Sequence, residues 1–166
     1  MGMCDIISFE KFEFVEAKDM EIREIKENKK QFLSLLLLAD EQEDMIDRYL
    51  DKGRMYVLDD DGVKCECVVT DEGNDVLEIK NIATVPEYQG KGYAKVLIDF
   101  VVKKYSEQYN VLQVGTGDSP LTIPFYEKCG FVRSHIVPNF FTDNYGHPMF
   151  ECGVQLVDMV YLQRAL

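Results

Sequence analysis

A short glycine-containing loop is the part of the sequence whose residue types and spacing most directly indicate chemistry. Gln89, Gly90, Lys91 and Gly92 follow a long apolar strand pattern and precede a helical pattern that begins at Tyr93. The first N–H groups of a helix have no partner within the helix and lie at the positive end of its dipole. Glycine lets a ligand approach this backbone, because it has no Cβ. The loop therefore predicts a binding site for a phosphate or pyrophosphate group.

Two common phosphate-binding motifs do not account for this loop. The GxxxxGK[ST] pattern of the P-loop is absent, and the glycines do not have the spacing of the Rossmann fingerprint. A second feature lies further along the chain, where residues 125–131 (FYEKCGF) place a Phe-Tyr pair before Gly130 and Phe131. The function of the loop is therefore inferred from two motifs, residues 89–94 and residues 125–131.

The two strings together resemble the GNAT superfamily of N-acetyltransferases. Residues 89–94 (QGKGYA) match the family's Q/R-x-x-G-x-G/A signature, and residues 125–131 are similar to its aromatic-Tyr pair before Gly-Phe. Both occur in the family's order, and the resemblance covers roughly residues 54–138. It implies an acetyl-CoA-dependent N-acetyltransferase of the α/β (α+β) class. The expected fold is an open, mixed, mostly antiparallel sheet flanked by helices, with strands that splay apart at the acetyl-CoA site.

The resemblance assigns the acetyl-CoA contacts residue by residue. The main-chain groups of three residues are expected to pair with the pantetheine arm as though it were an added strand: Ile82, Ala83 and Thr84. The pyrophosphate is expected to lie against six residues: Gln89, Gly90, Lys91, Gly92, Tyr93 and Ala94. Many members have an Asn at the start of the helix that corresponds to residues 120–128, where this sequence has Ser119. The usual amide is therefore missing, although the Ser119 hydroxyl could cap the helix and still reach the cofactor.

Two residues match the family's catalytic positions. Tyr126 aligns with the tyrosine that donates a proton to the departing CoA thiolate in many members; the alternative is a tyrosine packed beside the cofactor. Glu78 lies eleven residues before Gln89, the spacing of the strand glutamate that acts as general base in some members. An alkylammonium with a pKa of about 10.4 must lose a proton before it can attack a thioester. The alternative for Glu78 is a solvated charge on a half-exposed strand.

The expected reaction is direct attack of an amine on the thioester within a ternary complex. Strands that splay apart at Thr84 and around Val114 would open a slot for the thioester, and an N–H near Thr84 is a candidate oxyanion donor. Much of the rate would come from holding the two reactants in line. A covalent intermediate on Cys129 is not required, and a packed thiol is the interpretation we adopt for this residue.

Composition excludes several other classes of function. The 166 residues carry 18 Lys and Arg against 30 Asp and Glu, a net charge of −12, which argues against nucleic-acid binding. No apolar run is long enough for a membrane helix, and no secretory signal is present, so we expect a cytoplasmic protein with no membrane partner. Five Cys and two His without ligand spacing predict reduced thiols and no metal. The length predicts a single domain over residues 1–166.

The acceptor is indicated by charge rather than by a motif. Residues 1–74 carry 20 acidic and 10 basic residues, so most of the negative charge lies in the first half. Five acidic side chains would favour a cationic amine such as an aminoglycoside, a polyamine or a lysine side chain: Glu41, Glu43, Asp44, Asp47 and Asp143. The alternative is that the negative charge only keeps the protein in solution. Aromatic residues of the segment 139–147 (Phe140, Phe141 and Tyr145) would stack on an acceptor, seal a dimer interface or pack in the core.

Two alternatives to a small-molecule enzyme remain open. One is a protein or peptide acetyltransferase acting on lysine or on an N-terminus, which needs an open groove rather than a pocket closed by residues 139–147. The other is a catalytically silent acyl-CoA sensor. The apolar segment 154–166 makes a homodimer reasonable.

Periodicity predicts the elements that position these residues. Strands are expected at 11–17, 54–59, 63–70, 76–85, 111–115, 131–137 and 149–162. Helices are expected after a cap at Asp19, at 41–52 with Gly53 as C-cap, at 93–105, and at 120–128 with Gly130 as C-cap. The first of these helices is expected to carry Met20, Ile22 and Ile25 and, further on, Phe32, Leu33, Leu36 and Leu37.

Overall fold

The computed structural model of the chain describes residues 20–166. The predicted strand at 11–17 and the predicted cap at Asp19 lie outside the described residues. Within residues 20–166 the strands are β1 (Glu21–Ile25), β2 (Arg54–Asp59), β3 (Val63–Asp71), β4 (Val76–Thr84), β5 (Val111–Gly117), β6 (Val132–Val137), β7 (Met149–Glu151), β8 (Val154–Leu156) and β9 (Met159–Ala165). The α-helices are α1 (Leu33–Ala39), α2 (Glu43–Asp47), α3 (Tyr93–Tyr105), α4 (Thr122–Lys128) and α5 (Phe140–Asn144).

One mixed sheet organises the described part of the chain. Its seven strands have the order β1-β2-β3-β4-β5-β9-β6, and β7 and β8 form a separate hairpin. β4 and β5 run parallel, whereas the other neighbouring strands of this sheet run antiparallel. The expected open, mostly antiparallel α+β sheet is therefore confirmed.

Helices cover both faces of the sheet. α3 and α4 bury Leu97 and Ile123 against one face, which we call the α3 face. α1 and α2 bury Leu36 and Ile46 against the other face, which we call the α1 face. Side chains of a strand alternate between the two faces, so the face of each residue in the site follows from its neighbours.

β4 and β5 diverge after a short stretch of pairing. Their register runs from Val76 opposite Val111 to Ile79 opposite Val114. Beyond this point β4 continues to Thr84 against β3, while β5 continues to Gly117 against β9. The splayed strands expected at the cofactor site are present, and the separation begins before Thr84, directly after Ile79.

The first predicted helix is partly wrong. Glu21–Ile25 is a strand paired with β2, with Ile22 opposite Leu58 and Ile25 opposite Met55. The three-residue spacing of Ile22 and Ile25 suggested that both lie on one side of a helix. In the strand, Ile22 packs in the α3 core and Ile25 packs in the α1 core. The helix begins only at Leu33, after a 3-10 turn over Lys29–Phe32.

The second predicted helix is shorter than expected. α2 covers Glu43–Asp47, and turns carry the chain from there to β2. Gly53 is not a left-handed cap, because it is absent from the residues with positive φ. A Cβ at Gly53 would lie 2.7 Å from Cγ1 of Val68, so glycine is required here by the close approach of the turn to β3.

The C-terminal third also differs in detail. The aromatic segment 139–147, expected as a loop, contains α5, and the expected strand at 149–162 is three strands, β7, β8 and β9. Val160 and Leu162 of β9 are buried in the sheet core, which explains much of the apolar character of 154–166 within one chain. Among residues 20–166, no helix combines the length and apolar character needed to cross a bilayer.

Candidate active site

The open edge of β4 forms one wall of the slot between β4 and β5. The N–H of Val85 donates to the carbonyl of Lys64 at 2.8 Å, which identifies a hydrogen-bonded pair in the β3–β4 ladder. Such pairs recur at every second residue, so Glu66 opposite Ala83 is another. The N–H and C=O groups of Ile82 and Thr84 therefore point away from β3 and into the slot. This edge can accept an extended ligand as an added strand.

The loop after β4 leads to the N-terminus of α3. Gly90 and Gly92 have φ values of 76° and 89°, in the left-handed region that glycine favours, and a Cβ at either position would meet nothing within 4 Å. Gly92 caps α3 without a side-chain hydrogen bond, so the first N–H groups of α3 are not capped by a side chain. The backbone around residues 89–94 is thus open to a ligand.

Side chains around the loop fix its position and add positive charge. Tyr93 donates from its hydroxyl to Oδ2 of Asp60 at 2.6 Å, and Gln89 donates from Nε2 to the carbonyl of Thr84 at 3.3 Å. The ammonium groups of Lys64 and Lys91 lie 4.0 Å and 5.0 Å from the centre of the Tyr88 ring. Two cations therefore stand beside the same stretch of backbone, where an anion would be attracted.

Tyr126 lies on α4 and faces the α3 side of the sheet. Its ring packs edge-on against Phe125 and Phe131, with centroid distances of 5.1 Å and 5.6 Å. Burial raises the pKa of Tyr126 well above its ordinary value, and the nearby Cys67 and Cys129 act in the same direction. The phenol therefore keeps its proton at neutral pH.

Ser119 is buried in the turn before α4. Its Oγ accepts a hydrogen bond from the N–H of Leu121 at 3.1 Å, and its carbonyl accepts from the N–H of Ile123 at 3.4 Å. The hydroxyl thus stabilises the turn before α4, but it does not cap the helix, whose N-cap is Leu121 without a side-chain hydrogen bond. It takes part in no other hydrogen bond described by the structure, so its second lone pair and its own proton are available to a ligand.

Glu78 lies on β4 with its side chain on the α1 face, because Leu77 and Ile79 pack in the α3 core. Its carboxylate accepts hydrogen bonds from Nζ of Lys80 at 2.8 Å and from Nε2 of Gln113 at 2.5 Å. Burial alone would lower the pKa of Lys80, but its contact with Glu78 raises the pKa overall. The carboxylate is therefore held in place beside the slot, on the face opposite Tyr126.

A bulge in β4 changes which residues share the α1 face. Val68 lies opposite Asn81 and Val69 opposite Ile79, so Lys80 is an extra residue in the ladder. In a regular strand, residues three apart point to opposite faces. Because of the bulge, Glu78 and Asn81 both point to the α1 face. The pattern of side chains in the sequence gives no sign of this shift.

A buried polar cluster on the α1 face was not predicted from the sequence. Asn81 donates from Nδ2 to the carbonyl of Leu36 at 3.0 Å and to the hydroxyl of Tyr49 at 2.9 Å. Glu66 on β3, opposite Ala83, is fully buried, and neither of its side-chain oxygens has a hydrogen-bond partner in the part of the chain that the structure describes. The only signal in the sequence is an acid between two cysteines in an otherwise apolar strand (VKCECVV).

The segment 139–147 is hydrogen-bonded to residues 40–42, next to this cluster. The hydroxyl of Tyr145 donates to Oδ1 of Asp40 at 2.8 Å, and the N–H of Gly146 donates to Oε1 of Gln42 at 3.2 Å. Asp40 also lies 3.5 Å from the hydroxyl of Tyr49. We call this set of contacts between residues 139–147 and 40–42 the roof of the α1 face.

The acidic side chains that favoured a cationic acceptor are only partly available. Glu43 and Asp47 each lie 2.8 Å from Nζ of Lys30, and Glu41 lies 3.4 Å from Nε2 of His147. These exposed carboxylates therefore have partners within the chain. Within residues 20–166, no group of three or more His, Cys, Asp or Glu side chains is arranged to hold a metal ion.

Comparison with known proteins identifies the same architecture. Residues 51–133 match the family described as the acetyltransferase (GNAT) domain. A Bacillus subtilis (strain 168) protein named uncharacterized N-acetyltransferase YvbK is 34% identical over 140 residues, covering 82% of this chain and 90% of that protein.

Two solved structures are similar over most of the chain. A GNAT family acetyltransferase from Elizabethkingia anophelis, with acetyl-CoA bound, has 32% identity and a TM-score of 0.84, covering 90% of this chain and 99% of the other. An IAA acetyltransferase from Bacillus cereus ATCC 14579 has 34% identity and a TM-score of 0.82, and the match covers 89% of this chain and 99% of the other. The diverging β4–β5 strands, the glycine loop at the start of α3 and these similarities lead to one conclusion: the chain belongs to the GNAT family of N-acetyltransferases, which use acetyl-CoA.

Proposed function

We propose that the enzyme transfers the acetyl group of acetyl-CoA to a primary amine of a small cationic molecule, by direct attack within a ternary complex. The acetyl-CoA dependence follows from the family, whereas the acceptor class is the new part of the proposal. The observation that carries it is the roof, in which Tyr145 and Gly146 are hydrogen-bonded to Asp40 and Gln42. Such a cover over the α1 face suits a small amine, whereas a peptide would need an open groove.

The carrier is proposed to enter from the α3 face. Its pyrophosphate would lie against residues 89–94, where open backbone N–H groups, Lys91 and Lys64 all favour an anion. The pantetheine arm would then follow the slot and bond to the outward-pointing groups of Ile82 and Thr84, with Ala83 between them. Ser119, at the start of α4, has hydrogen-bonding capacity left for the same arm.

The amine is proposed to approach from the α1 face, opposite the carrier. Glu78 would take the proton that the ammonium must lose, either directly or through a water molecule, by exchanging one of its bonds to Lys80 and Gln113. Tyr126, on the α3 face, would donate a proton to the departing thiolate. An N–H of Ile82 or Thr84 in the slot is the candidate donor to the oxyanion.

A covalent acyl-enzyme is not part of this proposal. Burial raises the pKa of the Cys129 thiol, so this thiol is mostly protonated at neutral pH. Its backbone carbonyl also accepts a hydrogen bond from Nη1 of Arg164, which fixes the end of α4. Cys129 is therefore interpreted as a packed structural residue.

The test is an acceptor screen with acetyl-CoA that measures the release of free thiol. The panel should contain monoamines, diamines, polyamines, aminoglycosides, a lysine peptide and the IAA named for the Bacillus cereus relative. Turnover with small cationic amines and little with the peptide is expected. Preference for the peptide would contradict the acceptor class, and CoA binding without release from any acceptor would indicate an acyl-CoA sensor.

A homodimer also remains a proposal, supported by the edge strand β6. Val132 and Ile136 on this strand are 67% and 54% exposed, and among residues 20–166 β6 is paired only with β9. An unpaired edge that carries exposed apolar side chains favours association with a second chain. Sedimentation analysis of the wild type and of Ile136→Lys tests this; an unchanged monomer in both would exclude it.

A further inference from the structure

Glu66 is a buried carboxyl group without a hydrogen-bond partner in residues 20–166. The residue is 0% exposed, and neither Oε1 nor Oε2 has a hydrogen-bond partner among the described residues. Burial raises the pKa of Glu66 well above its ordinary value, and the nearby Ala83 N–H opposes this rise only in part. An unpaired carboxyl in a protein interior is costly, so its presence requires an explanation.

The position of Glu66 places it beside the slot on the acceptor side. Cys65 and Cys67 pack in the α3 core, so Glu66 between them points to the α1 face. It lies opposite Ala83, one of the slot residues, and diagonally across from Asn81. Long side chains in such a diagonal pair are within reach of each other.

Asn81 contributes another buried acceptor atom, Oδ1, to the same cluster. Its Nδ2 is used by Leu36 and Tyr49, but Oδ1 is buried and makes no hydrogen bond within residues 20–166. The cluster therefore contains three acceptor oxygens without donors, two from Glu66 and one from Asn81. A ligand that supplies several N–H donors and a positive charge would satisfy all of them.

We propose that the Glu66 carboxylate and Oδ1 of Asn81 form a buried subsite that binds a cationic primary nitrogen of the acetyl acceptor. This rests on the proposed function, because it gives the small cationic amine a specific place to bind. An ammonium group has three N–H donors and no acceptor, which matches three acceptor oxygens. Charge-assisted hydrogen bonds of this kind are stronger than neutral ones.

The route to the subsite passes through the roof. The hydroxyl of Tyr49 accepts a hydrogen bond from Asn81 and donates to Asp40, and Asp40 accepts from the half-buried hydroxyl of Tyr145. Separation of Tyr145 from Asp40 would open a path from solvent to Tyr49, and from there to Asn81 and Glu66. The roof thus separates the acceptor oxygens from water until an amine enters.

Glu66→Gln tests the subsite, because it keeps the shape of the side chain and removes the charge. n-Butylamine and 1,4-diaminobutane are titrated calorimetrically into protein saturated with CoA, which carries no acetyl group to transfer; n-butanol is the neutral comparison. The wild type is expected to bind both amines, and E66Q at least 10-fold more weakly. In steady-state assays, the KM for the amine should rise by a similar factor with kcat within about 3-fold, and the affinity for CoA should not change.

Two further variants separate binding from folding. Glu107→Gln makes the same chemical change at an exposed site just beyond α3 and should alter none of these quantities. Glu66→Asp keeps the charge on a shorter side chain and should lie between the wild type and E66Q. Unchanged amine binding and KM in a folded E66Q would overturn the subsite, as would wild-type binding of the amines no tighter than that of n-butanol. Absence of thiol release with every amine would instead refute the proposed function, while the calorimetric result would still decide the subsite.

Discussion

The hydroxyl of Tyr145 donates a 2.8 Å hydrogen bond to Oδ1 of Asp40, although 105 residues separate them in the sequence. Both side chains are half-buried, and the second oxygen of Asp40 lies 3.5 Å from the hydroxyl of Tyr49. Burial raises the pKa of Asp40, while the bond from Tyr145 acts against this rise. One contact between distant parts of the chain thus closes the α1 face and supports a buried carboxylate.

Tyr145→Phe is expected to loosen the roof. Loss of a hydrogen bond to a partly buried carboxylate should lower the free energy of unfolding by about 1–3 kcal/mol, as measured by urea denaturation. The KM for the amine should change, while the affinity for CoA should not. Asp40→Asn is the matched comparison, because its amide oxygen still accepts from Tyr145. This variant should lower the free energy of unfolding by less than Tyr145→Phe does. Equal stability of Tyr145→Phe and the wild type would contradict the closed roof in solution.

Gly92→Val is expected to weaken CoA binding by about 100-fold or more, because a β-branched residue does not adopt a φ of 89° without strain, and its side chain would occupy the space before α3. The control is Gly73→Val, in the turn between β3 and β4. Gly73 has a φ of 79° and equally open surroundings, so the same backbone strain arises far from the loop. If both variants retained CoA affinity, the pyrophosphate assignment would be wrong.

Tyr126→Phe is expected to lower kcat by about 100-fold, in the range found for loss of a general acid, with little change in the dissociation constant of CoA. The ring contacts with Phe125 and Phe131 remain, so the fold should be retained. Tyr109→Phe, which removes a hydroxyl at the opposite end of β5, is the control. A Tyr126→Phe enzyme with normal kcat would show that this tyrosine only packs beside the cofactor.

Glu78→Gln is expected to lower the rate most near pH 7 and to recover as the pH rises toward 10. At higher pH a larger fraction of the amine is already neutral, so less depends on a base. Glu72→Gln removes the other carboxylate that contacts Lys80, at 3.3 Å, and should leave the shape of the pH profile unchanged. A loss in Glu78→Gln that does not vary with pH would exclude Glu78 as the base.

Glu66→Gln should also change how stability depends on pH. The pKa of Glu66 is raised in the folded protein, so the folded state binds more protons than the unfolded state once the pH exceeds the ordinary value of about 4.3. The wild type should therefore lose stability relative to E66Q as the pH rises from about 4.3 through the raised pKa, by at most about 1.4 kcal/mol per pH unit. Urea midpoints of the wild type and E66Q at pH 5 and pH 8 measure this. An equal difference in stability between the two proteins at both pH values would contradict a buried Glu66 that is uncharged at low pH.

The parts of the fold that the sequence predicted well have a single strong periodicity. β2 and α3 have the predicted bounds, Arg54–Asp59 and Tyr93–Tyr105, because each carries an apolar pattern that ends at clear breakers. The helix predicted over the residues of β1 was wrong, because Ile22 and Ile25 are spaced as on one side of a helix but pack on opposite faces of the sheet. A spacing of three residues in a short segment does not distinguish these two outcomes.

The glycine loop that is proposed to bind the carrier was predictable from the sequence, whereas the polar cluster that is proposed to bind the acceptor was not. The loop at 89–94 depends on a local sequence, and glycine positions report its backbone directly. The cluster of Glu66, Asn81 and Tyr49 depends on the bulge at Lys80 and on contacts between elements far apart in the chain. Such contacts leave no periodic signal, so only the structure brings these residues together.

The position of β9 between β5 and β6 has a consequence for how the enzyme matures. β5 is paired with β4 only from Val111 to Val114, but with β9 along its whole length, from Val111 to Gly117. The wall of the slot opposite β4 is therefore fastened by residues 159–165. During synthesis on the ribosome, the loop at 89–94 emerges before this strand, so the nascent chain contains the glycine loop before the second wall of the slot can form.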